Sequence, residues 1–166
     1  MATQVRGQAH ATPRRRLLAV GLLGLVPWTV LLIDYGGPTV VNALFPLAVV
    51  DYNPALAPAV RVTPVWRFFA AGGGLPRNPE LWPASILLHG AALASAAAGL
   101  ADREDPRLTG GLLAFAGLAG LGVTLAFAHR LRYTPLPAGA LLACALAWWY
   151  YGPALQAAIL APIREP

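Results

Sequence analysis

The sequence predicts an all-α fold: an integral membrane four-helix bundle with a long outer loop that contains short interfacial helices. Three observations carry this class. Apolar residues make up 57% of the 166 residues and charged residues only 11%, less than half of the ~25% typical of soluble domains. Mean hydropathy is +0.58. Four stretches approach or reach the ~17–25 residues needed to cross hydrocarbon. The length suits one domain, and so few charges argue against an ordinary cytosolic enzyme.

All 12 basic residues are arginine, against 7 acids, for a net charge of +5. The absence of lysine, with heavy Ala, Leu, Gly and Pro usage, reads as composition pressure. Apart from Arg14, Arg15 and Arg16 the arginines are scattered, so no nucleic-acid surface is expected. A basic cluster beside an apolar run reads instead as a topology signal. Cys144 is the single cysteine, which rules out an intrachain disulfide.

Residues 1–16 are polar and basic, and are expected to form a disordered cytoplasmic tail. Residues 17–160 form a single transmembrane domain. Its first span is 17–33, with Pro27 tolerated where a neighbouring helix covers the freed carbonyl. Arg14–Arg15–Arg16–Leu17–Leu18 also resembles a twin-arginine export signal. No small-residue cleavage site follows in Asp34–Tyr35–Gly36–Gly37–Pro38, so the span is expected to stay attached.

Residues 34–80 form the outer loop. Thr39 to Val50 is apolar but short and contains Pro46, which suits an interfacial or a re-entrant piece. Thr63–Pro64 reads as an N-cap followed by proline at the first helical position. Val65, Phe68 and Phe69 then share a face beside Trp66, and Gly72–Gly73–Gly74 stops the helix. This helix lies on the membrane surface or packs within the loop.

The second span is 81–100, interrupted by His89. A charged turn, Asp102 to Arg107, makes its neighbours antiparallel. The third span is 108–128, closed by His129–Arg130–Leu131–Arg132–Tyr133–Thr134–Pro135. The fourth covers 137–158, with Trp148, Trp149, Tyr150 and Tyr151 as an interfacial belt. On that belt reading, Gly152–Pro153 breaks the helix and the residues to Leu160 lie along the surface. Residues 161–166 form a second cytoplasmic tail. Arg14, Arg15, Arg16, Arg103, Arg107 and Arg164 then fall inside and Arg77, Arg130 and Arg132 outside, which places the chain in the cell membrane with both termini cytoplasmic.

No phosphate loop, nucleophile triad or metal spacing is present. His10, His89 and His129 are far apart, and Gly72–Gly73–Gly74 lacks a following lysine. No catalytic residue, cofactor or metal is therefore expected. Asp34, Asp51 and Glu80 read as solvated loop charges. The candidate intramembrane polar contacts are His89, Thr124 and Cys144. His89 shares a helical stripe with Ser85, Ala92 and Ala96. It is expected to point toward the third or fourth helix as a neutral imidazole with a hydrogen-bond partner, because an unpaired ring in lipid is costly. Whether its role is functional or structural stays open. Close helix packing is expected through Ser85, Ala92, Ala96 and Gly99 on the second span, and through Gly110, Ala114, Gly117 and Thr124 on the third. The same faces suit a protein partner or a homo-oligomer.

Several short stretches carry a family resemblance: Gly74–Leu75–Pro76, Leu81–Trp82–Pro83, Ala92–Leu93–Ala94–Ser95–Ala96, Arg103–Glu104–Asp105, Thr109–Gly110–Gly111–Leu112–Leu113 and Trp148–Trp149–Tyr150–Tyr151. With Arg15–Arg16–Leu17–Leu18 and Val26–Pro27–Trp28 at the start, the chain resembles a family of small, uncharacterised multi-pass membrane proteins of halophilic archaea. The resemblance implies location and architecture, and no activity. The expected role is a non-enzymatic accessory or interaction component whose partners are the lipid bilayer and a protein. The alternative is a small oligomeric transporter or channel subunit, which needs a polar stripe in the spans that only His89, Thr124 and Cys144 offer. A membrane enzyme built on Asp34, Asp51 or Glu80 lacks a motif.

Overall fold

A computed structural model describes residues 12–72 and 80–160. The expectations for most of the basic tail, for His10, for Gly73–Gly74 and for residues 161–166 lie outside the described residues.

The fold is α/β, which overturns the all-α expectation. Helix α1 covers Pro13–Leu23 and is followed by four strands, β1 (Thr29–Ile33), β2 (Val40–Leu44), β3 (Ala48–Tyr52) and β4 (Val60–Pro64). A short helix α2 (Val65–Ala70) precedes α3 (Leu81–Ala98), a 3-10 turn (Gly99–Ala101) and α4 (Pro106–Ala128). Strand β5 (Tyr133–Leu136) leads into α5 (Ala138–Leu160). The strands form one antiparallel sheet in the order β4-β3-β2-β1-β5.

Local chemistry accounts for each departure. The expected span 17–33 divides into a helix and a strand. Pro27 disfavours helical geometry at Val26 and supplies no donor, and Thr29–Val30–Leu31–Leu32–Ile33 is rich in β-branched side chains that suit a pleated surface. Burial on β1 alternates, with Thr29, Leu31 and Ile33 buried. The stretch 39–50, expected to be an interfacial or a re-entrant piece, lies in the β2–β3 hairpin. Pro46 sits in its turn, where a missing N–H costs nothing, and Phe45 N–H donates to the Ala48 carbonyl over 2.8 Å. Among its described residues the outer loop therefore holds three strands and one helix, not short helices alone. Thr63 and Pro64 end β4, and Pro64 occupies the N-cap position of α2. Pro13 to Arg16 of the expected tail form the first turn of α1. Residues 133–135, expected to close the third span, belong with Leu136 to β5, which pairs with β1.

The remaining helices cover the expected stretches. Proline follows the Asp105 N-cap of α4, whose carboxylate accepts from Arg107 N–H at 2.9 Å, so the acidic turn starts that helix. Helix α5 runs unbroken through Pro153, so no separate surface segment begins there. Leu81–Ala101, Pro106–Ala128 and Ala138–Ile159 are long and apolar enough to cross a membrane.

Two cores result. One joins α1 to α3, α4 and α5 through Val20, Leu23, Trp28, Ala92, Leu113, Ala143 and Tyr151. The other seats the sheet on the helix ends through Leu31, Ile33, Leu44, Val49, Trp82, Val123 and Phe127.

Candidate functional site

Residues 13–33 thread along the other helices as a half-length helix followed by a strand. The thread begins at the α3–α4 turn, where a Cβ on Gly99 would meet Glu104 Oε2 at 3.0 Å and Pro13 at 3.5 Å. It ends with Ile33 paired to Tyr133 in β5.

At its start, Arg16 Nη1 donates to Glu104 Oε2 over 3.4 Å, with both side chains largely buried. The Arg16 guanidinium also lies 5.4 Å over the ring of the buried Tyr151. Arg16 Nε, Glu104 Oε1 and Tyr151 Oη have no hydrogen-bond partner among the described residues.

Midway, α1 stops at Leu23 and its last four carbonyls require partners. Gly24, Leu25 and Val26 N–H groups bond those of Gly21, Leu22 and Leu23 at 3.0–3.2 Å, and Trp28 Nε1 also donates to Leu23 at 3.3 Å. The fourth carbonyl, that of Val20, accepts from His89 Nε2 at 2.9 Å. The carbonyl can only accept, so Nε2 carries the proton. His89 is 5% exposed and stands 5.4 Å from the Trp28 ring. Its partner is thus the end of α1, rather than the third or fourth helix of the expected bundle.

Past the break, the Pro27 carbonyl accepts from Gly139 N–H at 3.0 Å and that of Trp28 from Ala140 N–H at 3.4 Å. These donors belong to the first turn of α5, which has no intrahelical acceptor for them. Gly139 leaves room for this contact, since a Cβ would lie 2.8 Å from Trp28 Cα. Thr29 and Thr124 hydroxyls then pair at 2.8 Å, and Thr124 also donates to Gly120 at 3.1 Å.

The three candidate polar residues do not converge. His89 serves α1, Thr124 serves β1, and Cys144 packs between α5 and α4, where a Cβ on Gly117 would stand 2.6 Å from its sulfur. Ser85 is buried and bonds the Trp82 carbonyl within its own helix at 2.7 Å. Ala92 and Ala96 are fully buried, and Gly99 abuts Glu104. Gly110 faces Tyr151, so the small residues of α4 receive α5. Sequence reasoning missed Arg16–Glu104–Tyr151 and the Ser95–Thr109 hydroxyl pair at 2.7 Å. Gly99 and Gly110, read only as packing residues, were the available signal, because each leaves space for one member of the first cluster.

The sheet adds a second feature. Its inner face carries Asn42, Asp51, Arg61 and Thr63 beside the apolar contacts to the helices. Its outer face is formed by two cross-strand rows, Leu136–Val30–Ala43–Val50–Val62 and Thr134–Leu32–Val41–Tyr52–Val60. Neither row contains a charge. Leu136, Tyr52, Val60 and Val62 are exposed.

These features define an α/β chain with three span-length apolar helices and a sheet at one end of them. A family described as a domain of unknown function (DUF8050) matches residues 1–160, and the chain belongs to it. No curated protein matches the chain.

Proposed function

We propose that the chain is a multi-pass membrane protein with a non-enzymatic accessory role, and that the outer face of its sheet receives a protein partner. The observation that carries this reading is the contrast between polar groups at the α1 break that are paired within the chain and an open apolar sheet face. At five strands ~4.8 Å apart and ~3.3 Å per residue, that face covers roughly 350 Å², within the range of patches that mark interaction sites on monomers.

Three helices span the bilayer in this reading. Residues 13–28 make a fourth, partly helical passage, which its protein neighbours permit because they satisfy its non-helical backbone. Both ends of the described chain then lie on the Glu104 side, which is cytoplasmic by the positions of Arg14, Arg15, Arg16, Arg103 and Arg107. The resemblance to small membrane proteins of halophilic archaea belongs to the same proposal. Transport is the less supported alternative, because the polar groups at the α1 break are consumed by partners within the chain.

Alkaline extraction of membranes followed by stoichiometric co-purification tests the reading. The chain is expected to stay in the pellet and to hold one partner that Leu32→Glu or Val62→Glu releases. Release of the chain at alkaline pH, or a pure homo-oligomer unaffected by both substitutions, overturns it.

A further inference from the structure

We propose that the β2–β3 turn and α2 form a wedge inserted into the lipid interface, so that the bilayer boundary on the sheet side runs through Leu47 and Trp66. The proposal rests on the membrane reading above and adds where the sheet meets the lipid.

Contacts along α4 fix the level. A Cβ on Gly122 would meet Leu81 Cδ1 at 2.8 Å, and one on Gly120 would meet the Trp28 ring at 3.0 Å. Gly139 N–H reaches the Pro27 carbonyl at that same point. Helices α3 and α5 therefore both begin beside residues 120–122 of α4, while α4 continues to Ala128. Trp28 N–H donates to the Leu44 carbonyl at 2.8 Å, which brings the end of β2 to this level. Because β2 runs antiparallel to β1, the turn that follows Leu44 lies on the helix side of Trp28.

That turn is Phe45–Pro46–Leu47, and it contains no polar side chain. Turns in water favour Gly, Pro, Asn, Asp and Ser; here Pro46 is buried and its neighbours are Phe45 and Leu47. Leu47 is 67% exposed, and its carbonyl accepts from Val65 N–H at 2.9 Å, which ties the turn to α2. Trp66, the second residue of α2, is 65% exposed. The opposite end of the sheet has ordinary aqueous chemistry. Asp34 Oδ1 accepts from Gly36 N–H at 2.7 Å and Asn53 Oδ1 from Ala55 N–H at 3.0 Å, both local turns of the type found in water. Polarity thus reverses along a single strand length of ~13 Å. A lipid surface fits this gradient, with tryptophan at the headgroup boundary and the neighbouring Arg67 reaching toward phosphate.

The test places an environment-sensitive fluorescent amino acid at position 47, 66, 53 or 115 of the full chain in phosphatidylcholine nanodiscs. Phe115, exposed midway along α4, reports on the membrane reading itself. Probes at 47 and 66 are expected to emit to the blue of the probe at 53 and to lose fluorescence with lipids brominated at upper acyl positions. The probe at 53 is expected to respond to iodide in the water instead. Quenching at 115 with none at 47 and 66 overturns the wedge and leaves the spanning helices standing. No lipid quenching at 115 removes both. Shielding of 47 and 66 from lipid and iodide alike identifies a protein contact there and also overturns the wedge.

Discussion

His89 on α3 donates its Nε2 proton to the Val20 carbonyl of α1 over 2.9 Å, and this bond terminates α1 between its neighbouring helices. A helix that stops among apolar side chains exposes carbonyls with no water to bond. The imidazole supplies the donor that the next turn of helix would have supplied.

Replacing His89 by leucine should therefore cost about 1–3 kcal/mol, the range for leaving one buried acceptor unpaired. His89→Gln keeps an amide N–H near the same reach and should recover most of the loss. His129 is exposed at the end of α4, and His129→Leu should change little. Unfolding of the three variants in detergent by a denaturant series is the measurement. Equal effects for leucine and glutamine would show that the ring's packing against Trp28 matters more than its hydrogen bond.

Glycines of α4 give a steric prediction. Gly110 faces α5 so closely that a Cβ would lie 2.5 Å from Tyr151 Cβ, and at Gly117 one would lie 2.6 Å from Cys144 Sγ. Gly110→Ala and Gly117→Ala should each destabilise by about 1–3 kcal/mol through overpacking. Gly111 has open space around it, so Gly111→Ala should be neutral or stabilising by about 0.4–1 kcal/mol through the unfolded chain. Thermal unfolding distinguishes these outcomes.

The three long helices were legible in the sequence because each is apolar, of spanning length and bounded by charge or proline. Their small-residue faces were legible from spacing. The sheet was not. Thr29 to Ile33 continues the apolar run of α1, and a strand that is apolar on both faces loses the alternation that betrays half-buried strands. Val40 to Leu44 and Ala48 to Tyr52 each carry one strongly polar residue, Asn42 or Asp51, in an otherwise apolar run, since the outer face of the sheet is apolar and the inner one mixed. Pro27 and Pro46 held the missing information: one marks the exit from a helix and the other a hairpin turn. The Arg16–Glu104 pair joins residues 88 apart in sequence, and nothing local to either announces the other.

That pair should respond asymmetrically to mutation. Removing one buried charge leaves its partner uncompensated, which costs about 3–5 kcal/mol when burial is complete. Arg16 keeps some exposure, so Glu104→Ala should fall at or below the lower end. The double variant Arg16→Met/Glu104→Leu exchanges the pair for apolar bulk and should be more stable than Glu104→Ala alone. A double-mutant cycle on the unfolding midpoint reads the coupling, and strict additivity would mean the two charges act independently.

Asp51 supplies a pH prediction for the sheet. It lies on the inner face, with Asn42 opposite on β2 and Arg61 opposite on β4. Desolvation raises its carboxyl above the ordinary value, and the Arg61 charge offsets part of that rise. A carboxyl whose folded-state pKa is raised favours its protonated form on folding. Its contribution is therefore complete below the unfolded value of about 3.9 and is lost as pH rises through the folded value. Asn42 gives a structural reason for the preference: its buried Oδ1 has no partner among the described residues, and a protonated carboxyl at the facing position offers a donor. Asp51→Asn supplies donors at every pH, so it should stabilise the sheet at pH 7 and make little difference near pH 3. Removing the offset in Arg61→Ala should steepen the wild-type loss between those limits. Hydrogen exchange of β2 and β3 amides across that pH window, referenced to Asp51→Asn to cancel intrinsic rates, is the direct readout. A wild-type sheet that instead gained protection relative to Asp51→Asn as pH rose would show that Arg61 dominates the site.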